Sequence, residues 1–137
     1  MLGKLIFESK GKITGQRVLS VANGIPKLEV SVTGTGIFNG NIDVTETWTY
    51  WTIQRPDGTS YGKGRGVIMT KDGSEVATAT GHGDGKMTDS GKMRYPGAIF
   101  YETSSKNKLA LLNHLVGVNE YEVDASGNYE HKLWEWK

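Results

Sequence analysis

Glycine recurs at every second position in three separate stretches of the chain, and no other feature restricts the fold as strongly. Residues two apart in a β-strand share a face, so each stretch predicts a strand with one face stripped of side chains. Such glycines weaken a strand unless they permit a sharp bend or the close approach of another group. The stretches are Gly34 and Gly36; Gly62, Gly64 and Gly66; and Gly81, Gly83 and Gly85.

Two interpretations of these stripped faces stay open, and they are compatible. In the first, the strands coil into a barrel, and aromatic rings from neighbouring strands lie over the bare backbone. In the second, the missing side chains leave a cavity for a ligand. A glycine-rich phosphate loop has no support, because no Gly-x-Gly-x-x-Gly pattern opens a helix and the Walker pattern is absent.

β-Branched residues and regular turn signals extend the strand pattern over the whole chain. Valine, isoleucine and threonine total 31 residues, and such side chains pack well on a pleated sheet. Asn23-Gly24, Asn39-Gly40 and Lys10-Gly11-Lys12 each predict a turn. Together these signals predict an all-β chain, a single antiparallel closed β-barrel of about eight strands over residues 1–137, with at most one short helical turn near 106–115.

Charge and composition argue against several classes of partner. The 16 Lys and Arg nearly cancel the 15 Asp and Glu, so we predict no nucleic-acid partner. Cysteine is absent, which excludes thiolate metal sites and disulfides. No apolar run reaches the roughly 7 to 15 residues of a signal peptide or the roughly 20 of a membrane span. We therefore predict a cytoplasmic protein with no membrane partner, no metal and no cofactor.

The segment from Ile42 to Arg55 carries apolar residues on both of its faces. Trp48 and Tyr50 share one parity with Ile42, whereas Trp51 belongs to the other. Either a β-bulge shifts the phase near Tyr50 or both faces of the strand are covered. Covering both faces of a small barrel requires a neighbouring subunit, so the pattern predicts a homo-oligomer.

Two ionisable residues are candidates for acid–base chemistry. Glu46 has the parity of Trp48, so it lies on an apolar face, where a carboxylate needs a partner or has a raised pKa. It is either a general base or a structural ion pair with Arg65 or Arg55. His82 shares a strand face with Asp84, which suits an acid–base pair, although one histidine and one acid are too few for zinc. By contrast, His131, which alternates with Tyr129 and Leu133, is predicted to be structural.

The order of motifs along the chain resembles that of the small barrels related to allene oxide cyclase, including uncharacterised bacterial and archaeal proteins. The matching segments run from Tyr50 to Thr59, Gly62 to Gly66, Thr80 to Gly83 and Leu115 to Val118. The resemblance implies a closed barrel that holds apolar or oxygenated small molecules. It also implies dimers or trimers, and in some relatives a cyclisation reaction.

We therefore predict a β-barrel that binds a small, largely apolar or oxygenated molecule in its interior, and any reaction is expected to be a cyclisation or isomerisation. Two alternatives remain: a carbohydrate-binding or protein-interaction module with exposed aromatic rings, and a structural oligomer with a filled barrel. The candidate catalytic residues are Glu46 and His82. The candidate ligand-binding residues are Trp48, Tyr50, Arg65 and Tyr101.

Overall fold

The computed structural model describes residues 1–137 as eight antiparallel strands that follow one another around a closed barrel. Each strand pairs with the next in sequence, and the first pairs with the last, so the sheet has no free edge. The predicted all-β closed barrel of about eight strands is therefore confirmed. The strands are β1 Leu2–Ser20, β2 Lys27–Phe38, β3 Ile42–Gln54, β4 Ser60–Thr70, β5 Val76–Met87, β6 Met93–Glu102, β7 Val116–Val123 and β8 Asn128–Trp136.

The first strand is longer than the sequence pattern predicted. The turn expected at Lys10-Gly11-Lys12 is wrong, because β1 runs through it and pairs there with both β2 and β8. Gly11 lies against the β2 backbone so closely that a Cβ atom would sit 2.6 Å from Cα of Gly34. The pairing register between β1 and β2 then shifts between Ile13 and Gly15. Glycine at position 11 therefore allows the two strands to approach closely, and it does not reverse the chain.

One end of the barrel is packed with apolar side chains. The predicted helical turn is present there as a 3₁₀ helix, Lys108–His114, which places Leu109 and Leu112 completely inside. The carboxylate of Glu75 accepts a hydrogen bond of 3.0 Å from the backbone N–H of Leu109 and another from Ser105, which holds this segment against the barrel. A second short 3₁₀ turn covers Ala22–Gly24. The fold contains no helix long and apolar enough to cross a membrane.

The aromatic strand β3 has no bulge near Tyr50. Its pairing with β2 and β4 keeps one continuous register, so its even-numbered residues face the interior and Trp51 faces outward. The Trp51 ring lies 5.6 Å from the Tyr61 ring, and Nζ of Lys27 lies 4.6 Å from its centroid. Both faces of β3 are therefore packed against other residues, and at Trp51 these residues belong to the same chain.

Candidate functional site

The half of the barrel farther from the Lys108–His114 helix contains a cavity of about 100 Å³. The side chains that line it are mostly aromatic, a few of them are buried polar groups, and glycine backbone forms part of its wall. An enclosed apolar cavity of about 150 Å³ binds benzene, and this smaller space is partly open to solvent, so one small ring can enter it with part of the ring at the opening. The aromatic lining residues are Trp48, Tyr50, Tyr95, Tyr121 and Tyr129, and the polar ones include Glu46, Asn119 and His131.

The glycine stretches explain both the cavity and the way its walls pack. Gly62 borders the cavity, and a Cβ atom there would find its nearest neighbour 3.7 Å away, in the Tyr95 ring. At Gly66, in contrast, a Cβ atom would overlap the Trp48 ring, and at Gly36 it would lie 2.6 Å from the Phe7 ring. The stripped faces are therefore covered by rings in some places and border an open cavity in others.

Glu46 is a buried carboxyl group with no cationic partner. Only 2% of it is exposed, Nε1 of Trp48 donates to its Oε1 at 3.0 Å, and the Tyr129 hydroxyl donates to its Oε2 at 2.9 Å. Neither predicted ion pair forms, because Arg55 pairs with an exposed carboxylate on β5 and Arg65 points outward. Burial raises the pKa of Glu46, and hydrogen bonds lower it in part.

The hydrogen bond between Tyr129 and Glu46 depends on a glycine in one of the two strands between them. Tyr129 lies on β8 and Glu46 on β3, and Gly34 of β2 pairs directly with Glu46. A Cβ atom at Gly34 would overlap the Tyr129 hydroxyl and lie 2.5 Å from the carbonyl oxygen of Lys10. The stripped face of β2 therefore provides the space that lets this tyrosine reach the carboxyl group.

Neutral phenols form one side of the cavity. The hydroxyls of Tyr50 and Tyr121 are 3.0 Å apart, and the Tyr121 ring lies 5.2 Å from the Tyr129 ring. Burial raises the pKa of Tyr50 to about 12. Burial and the neighbouring Tyr50 raise the pKa of Tyr121 further, and burial and the Glu46 carboxyl group do the same for Tyr129. These side chains stay uncharged near pH 7 and can offer the cavity both ring faces and hydroxyl hydrogen bonds.

His131 lines the same cavity, although its sequence pattern predicted a purely structural role. Its Nδ1 atom lies 3.4 Å from the Ser9 hydroxyl, and its buried Nε2 atom has no hydrogen-bond partner in the protein. Burial lowers the pKa of His131 to about 4, so the imidazole is neutral near pH 7. A neutral imidazole with one unpaired nitrogen is a group that can hydrogen-bond a ligand.

The structure brings together only half of the predicted site residues. Glu46, Trp48 and Tyr50 line the cavity. The interior position predicted for Arg65 is corrected, because its side chain is exposed on the outer face between two inward-facing glycines. Tyr101 is buried in the packed half, 5.9 Å from a phenylalanine ring and away from the cavity.

The interior position predicted for His82 is corrected in the same way. Its residue borders the cavity, but it is exposed, and its Nδ1 atom lies 3.3 Å from the outward-facing Tyr61 hydroxyl. Because Gly81 and Gly83 face inward, strand alternation places the His82 side chain outside. No group of three or more His, Cys, Asp or Glu side chains forms a metal-binding cluster.

Comparisons with known proteins identify the fold. No family model matches the chain, and no curated protein matches it. A protein of unknown function from Clostridium acetobutylicum ATCC 824 has a similar structure, with a TM-score of 0.81 and 14% identity over 98% of this chain and 97% of that chain. A conserved protein of unknown function from Rhodopseudomonas palustris has a TM-score of 0.81 and 15% identity over the same shares. These identities establish a shared barrel fold only.

The predicted site omitted five of the polar and aromatic residues that line the cavity, namely Tyr95, Asn119, Tyr121, Tyr129 and His131. Tyr95, Asn119 and Tyr121 lie on β6 and β7, which meet β3 only across the closed barrel. The sequence pattern does indicate that His131 faces inward, because it alternates with Tyr129 and Leu133, and all three residues are buried. That alternation predicts a shared inward face, but it gives no information on which half of the barrel is hollow.

Proposed function

We propose that this protein binds a small, uncharged, largely apolar molecule inside the barrel. The observation that carries the proposal is the aromatic cavity, whose two buried ionisable groups, Glu46 and His131, have no charged partner. Lys63 borders the cavity, but its residue is exposed on the outer face, so the interior offers an anion no countercharge. The closed barrel with an interior cavity also supports the resemblance to the barrels related to allene oxide cyclase.

The chemistry that best suits this site is proton transfer on an uncharged ligand, as in a cyclisation or isomerisation. Glu46 is the group that would move the proton, because a buried carboxyl with a raised pKa holds its proton at a higher pH than a surface glutamate. The surrounding tyrosine rings would fix the reactive conformation of the ligand. No organic cofactor enters this proposal.

Filling the cavity tests the binding proposal directly. Gly62→Leu is expected to weaken binding of cyclohexanone at least about tenfold, because the new side chain would enter open space in the cavity. Binding is measured by titrating the ¹⁵N-labelled protein and following the indole N–H signal of Trp48, which lines the cavity.

The matched control for Gly62→Leu is Lys63→Leu, the same new side chain on the adjacent outward-facing residue. This variant is expected to bind cyclohexanone as the wild type does. Wild-type protein that shows no shift of the Trp48 signal at about 10 mM cyclohexanone would contradict the proposal. Equal affinity of the wild type and Gly62→Leu would place the binding elsewhere.

The exterior alternative, a carbohydrate-binding surface, has less support from the geometry. Trp51 and Tyr61 do lie together on the outer face, with ring centroids 5.6 Å apart. Their rings are tilted by 56°, and Lys27 and Arg55 of the same chain lie over them. A sugar would have to displace these cations before it could stack on either ring.

We also propose that the chain forms a homo-oligomer through an apolar outer patch on β4 to β7. The patch consists of Val67, Met69, Val76, Phe100 and Val116, each between 38% and 50% exposed. Met69 pairs with Val76, and Phe100 pairs with Val116 on neighbouring strands. The outward-facing Thr78 and Glu102 lie between the two pairs, so the patch carries one acidic side chain. Because its five other members are apolar and exposed, a second copy of the same patch is a suitable partner.

Phe100→Glu is therefore expected to convert the oligomer into a monomer, because two copies would bring like charges together in the interface. The molar mass is measured by size-exclusion chromatography with light scattering. Lys132→Glu, a charge change on the outward-facing side of β8, is the control and should leave the mass unchanged. A wild-type monomer at about 100 µM would contradict the proposal.

A further inference from the structure

His131 carries a buried nitrogen atom that nothing in the protein satisfies. Only 5% of the residue is exposed, its Nε2 atom has no hydrogen-bond partner, and the ring lines the cavity. Buried polar atoms in proteins are nearly always hydrogen-bonded, because leaving one unpaired costs about 1 to 3 kcal/mol. An unpaired atom at the wall of a cavity therefore indicates a partner that occupies the cavity.

The other contacts of the imidazole fix the ring in place. Ser9 pairs with His131 across β1 and β8, and its hydroxyl lies 3.4 Å from Nδ1. The Phe7 ring meets the imidazole at an angle of 66°, with centroids 5.7 Å apart. Because Ser9 takes up Nδ1, the Nε2 atom is the one left for a ligand.

The tautomer of His131 decides what kind of partner Nε2 requires. The Ser9 hydroxyl can either donate to Nδ1 or accept from Nδ1–H. When the serine oxygen accepts, the proton of the neutral imidazole lies on Nδ1, and Nε2 has only a lone pair. In that tautomer the partner of Nε2 must be a hydrogen-bond donor.

We propose that His131 is the polar anchor of the cavity and that its Nε2 atom accepts a hydrogen bond from the hydroxyl group of a compact, uncharged alcohol. The oxygen of the same hydroxyl can accept a hydrogen bond from Asn119, a cavity residue for which no side-chain hydrogen bond is found. The carbon skeleton then packs against the tyrosine rings. This inference rests on the proposed interior binding function and names the class of ligand.

Cyclohexanol and cyclohexanone test the anchor, because they have the same number of heavy atoms and only the alcohol donates a hydrogen bond. We expect the wild type to bind cyclohexanol about tenfold more tightly than cyclohexanone, since a site built around an acceptor discriminates against a ligand without a donor. His131→Phe is expected to remove this preference and to retain cyclohexanone binding. Affinities are measured by following the Trp48 indole signal during titration.

A second measurement uses only the wild type, so it does not depend on how the variant folds. The ¹⁵N shifts of the His131 imidazole are expected to report the proton on Nδ1, and cyclohexanol should shift the Nε2 signal. A proton on Nε2 in the free protein would overturn the anchor. Equal affinities for the two probes would also overturn it while leaving interior binding intact, whereas binding of neither probe would contradict the proposed function itself.

Discussion

Replacing Gly11 by alanine is expected to lower the free energy of unfolding by about 3 kcal/mol or more, a large part of the 5 to 15 kcal/mol typical of a small domain. The new Cβ atom would overlap the carbonyl oxygen of Thr33 and lie 2.6 Å from Cα of Gly34. Both neighbours belong to the backbone of β2, so a side-chain rotation relieves nothing. The two strands would have to separate where β1 pairs with both of its neighbours.

The control lies four residues further along the same strand. A Cβ atom at Gly15 would meet no atom within 4 Å, so Gly15→Ala should leave stability unchanged or raise it by up to about 1 kcal/mol. Urea unfolding followed by circular dichroism measures both variants. Similar unfolding midpoints for Gly11→Ala and Gly15→Ala would show that the close approach of β1 and β2 is not required.

Acidification is expected to destabilise the protein by about 3 kcal/mol through His131 between pH 6.5 and about 4. Burial lowers the pKa of the folded imidazole from 6.5 to about 4, so in this range the unfolded chain binds a proton that the folded chain does not. The stabilisation from this residue is complete above pH 6.5 and is lost as the pH falls through this range. His131→Phe is expected to remove this pH dependence.

Glu46 acts in the opposite direction. Its folded pKa is raised, so its favourable contribution is present at acidic pH and is lost as the pH rises through the folded pKa. Glu46→Gln is therefore expected to gain stability relative to the wild type as the pH rises above 4.5. The glutamine can still accept from Trp48 and donate to the Tyr129 oxygen.

Urea unfolding of the wild type and both variants at several pH values separates the two contributions. The free-energy difference between the wild type and His131→Phe should shrink by about 3 kcal/mol from pH 7 to pH 4. The difference between the wild type and Glu46→Gln should change in the other direction over the range above pH 4.5. Parallel pH profiles for all three proteins would contradict the burial of both groups.

Much of the fold is predictable from strand alternation alone. The parity of Glu46, Trp48 and Tyr50 predicts one shared face, and the structure places all three at the cavity. The glycine stretches carry the same kind of information, because inward glycines at 62, 64 and 66 require Lys63 and Arg65 to face outward. The interior positions expected for Arg65 and His82 disregarded this alternation.

The remaining features depend on contacts between strands that are far apart in sequence. Tyr129 and Glu46 meet across two strands of the closed barrel, β1 and β2, and they do so only because Gly34 lies between them. Tyr101 faces inward as expected, yet it lies in the packed half. The register between neighbouring strands decides which inward-facing residues lie at the same height along the barrel axis. The sequence of a single strand does not reveal that register.

The uneven filling of the barrel has a consequence for how such a protein can evolve. Residues that hold the structure together, such as Phe38 and Leu109, lie at the packed end, away from the cavity wall. Substitutions around the cavity can therefore change its size and polarity with little loss of stability, while the packed end preserves the shape. A barrel built in this way allows its interior to diverge widely in sequence while the backbone stays the same.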